Sequence, residues 1–189
     1  MATIGGDRRI TAFLDLIAAA EGTSSSPITK SDGYDIIVSG IDGHHRFDDF
    51  SSHPFAGGRP PILVRAARLA QQAERDADTG CLLHPSKPAV TAIRSTASGR
   101  YQIVLETWRE LAATLHLKLF SPSCQDSAAM ELLFQHHADQ LLIDGKCAEA
   151  VLACYKVWAS FPGNDYGQGG RSLDWLITCY HKLLSGQEA

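Results

Sequence analysis

From Arg100 almost to the C-terminus, apolar residues recur at the spacing of one helix face, and this pattern commits nearly half of the chain to a helical lobe. Val104, Trp108, Leu111 and Leu115 mark a first stripe, and Met130, Leu133, Phe134, His137 and Leu141 a second. Val151, Cys154, Tyr155 and Trp158 mark a third, and Leu173, Leu176, Ile177, Tyr180 and Leu184 a fourth. Ser121-Pro122, Asp144-Gly145 and Phe161-Pro162-Gly163-Asn164 separate them, with proline at a first helical position and turn formers elsewhere.

The N-terminal part reads differently. Ile10, Phe13, Leu14 and Ile17 fall on one face, so the spacing predicts a helix over Arg9 to Ala20, stopped by Gly22. Between Thr23 and Phe55, Ser24-Ser25-Ser26-Pro27 is loop material, Tyr34 to Val38 is β-prone, and Ser39-Gly40 and Asp42-Gly43 are turn signals. A helix, a small antiparallel sheet and a helical lobe make an α+β domain with its cleft between sheet and helices. At 189 residues, one domain over 1–189 is expected. Within it, about 63–89 looks inserted: after Arg59-Pro60-Pro61, the alanine- and charge-rich run Leu63 to Asp78 predicts a helix, followed by an irregular stretch to Pro88.

Charge and composition exclude several classes. A net charge of -4 with scattered arginines speaks against nucleic acid as a partner. Asp15 and Glu21 interrupt the only early apolar run, so no signal peptide is read, and nothing approaches the roughly 18 apolar residues of a membrane span. A soluble protein made in the cytoplasm is expected. Five cysteines without a CxxC pair suit reduced, mostly buried thiols, and neither HExxH nor a Cys/His spacing suggests a metal site.

The residue with chemical promise is Glu21. It continues the buried stripe four positions beyond Ile17, where the helix gives way to a loop. A carboxyl group there is partly desolvated, which favours its neutral form and suits it to general acid work.

Several separated segments then carry a resemblance: Ala12-Phe13-Leu14-Asp15 leading to Glu21-Gly22-Thr23, Gly33-Tyr34-Asp35-Ile36-Ile37-Val38, and Ser95-Thr96-Ala97-Ser98-Gly99-Arg100-Tyr101-Gln102. Phe120-Ser121-Pro122 with Gln125-Asp126, and Trp158-Ala159-Ser160-Phe161-Pro162-Gly163 before Tyr166-Gly167-Gln168, continue it in the same order. Together they resemble the lambda-type endolysin family of phage lysozymes, from about Arg9 to Leu184.

The resemblance implies a lysozyme-like fold and lytic transglycosylase activity on the bond between N-acetylmuramic acid and N-acetylglucosamine in peptidoglycan glycan strands. It places the catalytic glutamate on Glu21 and implies that Tyr101 and Gln102 lie near it, with Asp35 lining the cleft. Tyr166 and Gln168 stand in a Gly-rich loop, where an exposed tyrosine is a usual platform for sugar rings. The resemblance also implies a monomer without cofactor or metal, held in the host cytoplasm until a holin gives it access to the periplasmic wall. The run at about 63–89 and the mild negative charge depart from the family pattern.

Hydrolysing glycosidases need two carboxylates. In phage lysozymes that hydrolyse, an Asp and a Thr follow the Glu at positions matched here by Lys30 and Ile36. A transglycosylase needs only the one acid. Two other readings stay open at this point: a hydrolytic muramidase with Asp35 or Asp32 as second carboxylate, and a wall-binding module of the same fold without activity.

Overall fold

A computed structural model describes Ala2 and residues 6–66, 90–163 and 170–186, together with the backbone pairing of 74–75 and 82–84. Helix α1 (Arg8–Ala20) is the central element. Asp7 caps its start by accepting a hydrogen bond from the Arg9 amide, and Phe13, Leu14, Leu16 and Ile17 are wholly buried. Such a helix needs cover on nearly all sides, and α3 (Pro122–Gln135), α4 (Ala138–Ile143) and α6 (Leu173–Ser185) supply much of it. The remaining helices among the described residues are α2 (Leu105–Thr114) and α5 (Cys147–Ala153).

The predicted stripes mostly lie on these helices, with breaks that spacing did not reveal. The second run is two helices, because His137 turns into the left-handed region at φ 55° between α3 and α4. Phe134 is left 42% exposed at the end of α3. In the third run the helix stops at Ala153, yet Cys154 and Trp158 remain in the core beyond it.

The described strands form three two-stranded antiparallel sheets. β1 (Ile36–Gly40) and β2 (Gly43–Arg46) make a hairpin across the anticipated Asp42-Gly43 turn. β3 (Ile62–Arg65) pairs with β6 (Ile93–Ser95), and β4 (Glu74–Arg75) with β5 (Leu82–His84). The helix expected over Leu63 to Asp78 is therefore corrected: its start is strand β3 and Glu74–Arg75 is strand β4, while 67–73 and 76–78 lie outside the described residues. Alanine content is a local preference, whereas Ile62-Leu63-Val64 gains its ladder from a partner some thirty residues later.

Among the described residues no helix is long and apolar enough to cross a membrane. Cys147, Cys154 and Cys179 are buried free thiols and Cys124 is half-buried. The core also holds His53, whose Nε2 donates to the Ile103 carbonyl at 3.1 Å while its ring meets Phe120 edge-on at 4.7 Å. Burial pulls its pKa down to about 4, so it is a neutral core residue.

Candidate active site

Glu21 owes its position to the way α1 ends. Gly22, at φ 70°, lets the chain reverse so that its amide reaches the Ala19 carbonyl and the Thr23 amide reaches that of Ala18. Thr23 is then anchored through its hydroxyl, which donates to the Arg100 carbonyl at 2.6 Å. The carboxyl group of Glu21 is thus fixed at the last turn of a buried helix rather than on a free loop.

The groove it faces has a volume of about 370 Å³. Val38, Val64 and Ile93 to Ser95 form its strand side, and Gln102, Val104, Thr107 and the segment Lys156 to Ala159 its helical side. Among the described residues lining it, Glu21 is the one carboxylate. Burial raises its pKa above the ordinary value, and two hydrogen bonds from Ser160 oppose that rise in part. The Ser160 hydroxyl donates to Oε1 at 2.7 Å and its amide to the same oxygen at 3.4 Å. One carboxyl oxygen is held in place, while among the described residues none bonds the other. A fixed acid whose neutral form burial favours, facing a groove, can deliver a proton.

The other anticipated residues divide. Gln102 lines the groove with Glu21, held at φ 50° with its amide donating to the Gly99 carbonyl at 3.0 Å. That backbone costs on the order of 1 kcal/mol for a residue with a Cβ.

Asp35 does not line the groove. It is 1% exposed, and its oxygens accept from the Thr29 hydroxyl at 2.6 Å, the Lys30 amide at 2.9 Å and Arg46 at 3.4 Å. A carboxylate so engaged and so buried clamps its own loop and is closed off from a sugar.

Tyr101 is likewise a core residue, with no exposed surface. Its hydroxyl and that of Tyr34 both donate to Asp126 Oδ1, at 2.6 and 2.7 Å, and burial raises the pKa of each phenol well above its ordinary value. Tyr101 still contributes to the site indirectly, because its carbonyl accepts from the indole N–H of the groove residue Trp158 at 3.0 Å. Tyr166 and Gln168 lie outside the described residues.

Asp32 is tied to Arg100, at 2.9 Å, and Arg100 also reaches Asp15 on α1 at 2.8 Å. This buried arginine fastens the loop before β1 to the central helix. Gly99 beside it is equally constrained: at φ 78°, an added Cβ would collide with the Gln125 side-chain oxygen that accepts from the Arg100 amide.

Ser160, Arg94 and Lys156 were not among the anticipated site residues. Ser160 stands within the quoted Trp158 to Gly163 segment, but no local pattern connects a serine with an acid 139 positions earlier.

A half-buried acid facing a groove between a strand layer and a helical lobe is the arrangement expected of a lysozyme-like glycosidase. The comparisons with known proteins agree. A family model described as Endolysin matches residues 11–80 and 79–186. The endolysin of Escherichia phage P2 is 38% identical over 181 residues, covering 95% of each chain. That of Escherichia phage lambda is 33% identical over 178 residues, covering 94% of this chain and 90% of the relative. A structure of bacteriophage lambda lysozyme complexed with a chitohexasaccharide superposes with a TM-score of 0.71 at 28% identity, over 99% of both chains. A second structure of that lysozyme gives 0.66 at 26% identity, again over 99% of both. The chain belongs to the endolysin family, the peptidoglycan-cleaving glycosidases with which phages lyse the bacterial cell wall.

Proposed function

We propose that this endolysin is a lytic transglycosylase, cleaving the bond between N-acetylmuramic acid and N-acetylglucosamine without consuming water. The observation that carries this reading is that Glu21 faces the groove without a second carboxylate among the described lining residues. Asp35 and Asp32, the acids next in consideration, are engaged by Thr29, Lys30 and Arg46, and by Arg100.

In this mechanism neutral Glu21 gives its proton to the glycosidic oxygen as the bond to C1 of the muramoyl unit breaks. The resulting carboxylate takes the proton of the C6 hydroxyl while O6 closes onto C1, and Glu21 returns to its neutral state. Glu21 thus serves as acid and then base, which suits a pKa displaced upward towards the working pH. Gln102 supplies a dipole near the developing positive charge.

The partner is a peptidoglycan glycan strand, and the lambda lysozyme structure with a chitohexasaccharide supports sugar binding in such a groove. Tyr166 and Gln168 are proposed to extend this contact. Residues 63–89 are proposed as a segment added at one lip of a single domain, on the strength of their alanine- and charge-rich composition after Arg59-Pro60-Pro61. In this reading the protein acts as a monomer without metal or cofactor. It is made in the host cytoplasm and reaches the periplasmic wall after a holin opens the membrane.

Mass spectrometry of digested peptidoglycan tests the reaction type. Muropeptides ending in 1,6-anhydromuramic acid are expected. Products heavier by one water, with new reducing ends, would replace the transglycosylase by a hydrolytic muramidase.

A further inference from the structure

The groove carries two cations from opposite sides, Arg94 on strand β6 and Lys156 in the segment after α5. Both side chains belong to exposed residues, and among the described residues no carboxylate pairs with either. Arg94 is steadied by one hydrogen bond, from Nη1 to the Pro61 carbonyl at 3.2 Å, which leaves most of its donors available. Lys156 lies with its ammonium 5.5 Å from the centre of the Tyr155 ring. The only acid among the described lining residues is Glu21, whose neutral form burial favours. Among the described residues, a chain with net charge -4 therefore presents a locally positive groove lining. A neutral sugar polymer offers such cations hydrogen-bond acceptors but no countercharge; a polymer bearing carboxylates offers both.

We propose that Arg94 and Lys156 read the carboxylates of the peptides attached to the glycan strand, and so give the enzyme a preference for peptide-bearing, anionic strands over neutral ones. The inference rests on the groove of Glu21 being the cutting site and names the substrate feature that this groove selects. In intact peptidoglycan the lactyl carboxyl of each substituted muramic acid is consumed in an amide bond, so the free carboxylates lie on the peptides. They extend sideways from the strand, where the exposed groove walls can meet them.

The test compares turnover of solubilised peptidoglycan strands with that of the same strands after their carboxylates are converted to amides. At low salt the unmodified enzyme should prefer the carboxylate form, and added salt should shrink the preference. Arg94→Gln and Lys156→Gln should each raise KM on untreated strands by roughly two- to fivefold and leave kcat unchanged, as suits exposed charge pairs. Neither should change KM on the amidated strands, and Arg94→Lys should keep the preference. Equal losses on both substrates, or a loss confined to kcat, would overturn the proposal. Glu21→Gln run alongside keeps the two readings apart. If it still turns over strands, the acid assignment fails; if it is inert and the charge variants show no substrate difference, only the reading of carboxylates fails.

Discussion

At the scale of single residues, the site places one acid where its charged form is disfavoured and one hydroxyl where it limits that effect. Glu21→Gln should lower activity by roughly 10²- to 10⁴-fold, the usual worth of general acid and base catalysis, with an unchanged circular dichroism spectrum. It should also make the protein more stable. Because the folded pKa of Glu21 is raised above 4.5, the unfolded chain releases this proton first as pH increases, and folding loses free energy until the folded carboxyl ionises too. Melting temperatures should therefore increasingly favour the amide as pH rises above 4.5, until the folded carboxyl ionises. Equal melting curves for the two proteins would mean that Glu21 is well solvated. Ser160→Ala tests the second group. Without its hydroxyl the alkaline limb of kcat/KM should move to higher pH, and Ser160→Thr should restore it. A fall in activity with an unmoved profile would leave Ser160 a packing role only.

At the scale of elements, the helices were legible from the sequence because their signal is local. The stripe of α1 and its Gly22 stop lie within a dozen residues, and they alone put Glu21 at a buried helix end. What depends on distant pairing was not legible. The alanines after Leu63 favour helix, yet Ile62–Arg65 is held as strand by Ile93–Ser95. The quoted motifs gave residue types but not the direction of their side chains. Asp35 turns back onto Thr29 and Lys30, and Tyr101 turns inward to Asp126. The corrected strand changes what truncation should do. Removing Leu63 to Pro88 deletes most of β3 and with it Val64 from the groove wall, so loss of activity is expected even where the helical lobe still folds. A fully active truncated enzyme would show that the β3–β6 pair is dispensable. At Gly99 the packing is closer still. Gly99→Ala combines a left-handed backbone with a clash against the Gln125 side chain, and a loss of about 2 kcal/mol or more in denaturant unfolding is expected.

At the scale of the whole molecule, stability should depend on pH through a core group that does not line the groove. His53 has a folded pKa of about 4 against 6.5 for an unperturbed imidazole. Its contribution is fully present above 6.5 and is lost as pH falls towards 4, because the unfolded chain takes up the proton first. The loss amounts to roughly 3 kcal/mol over that window, and His53→Gln should flatten this part of the stability curve; an unchanged slope would locate the dependence elsewhere. The phenols of Tyr34 and Tyr101, which share one oxygen of Asp126 inside the molecule, have an optical consequence. In an alkaline titration followed by near-ultraviolet absorbance, these two chromophores should stay dark while accessible tyrosines develop the phenolate band. They should then appear together and abruptly, so that their colour marks the moment at which strand layer and helical lobe come apart.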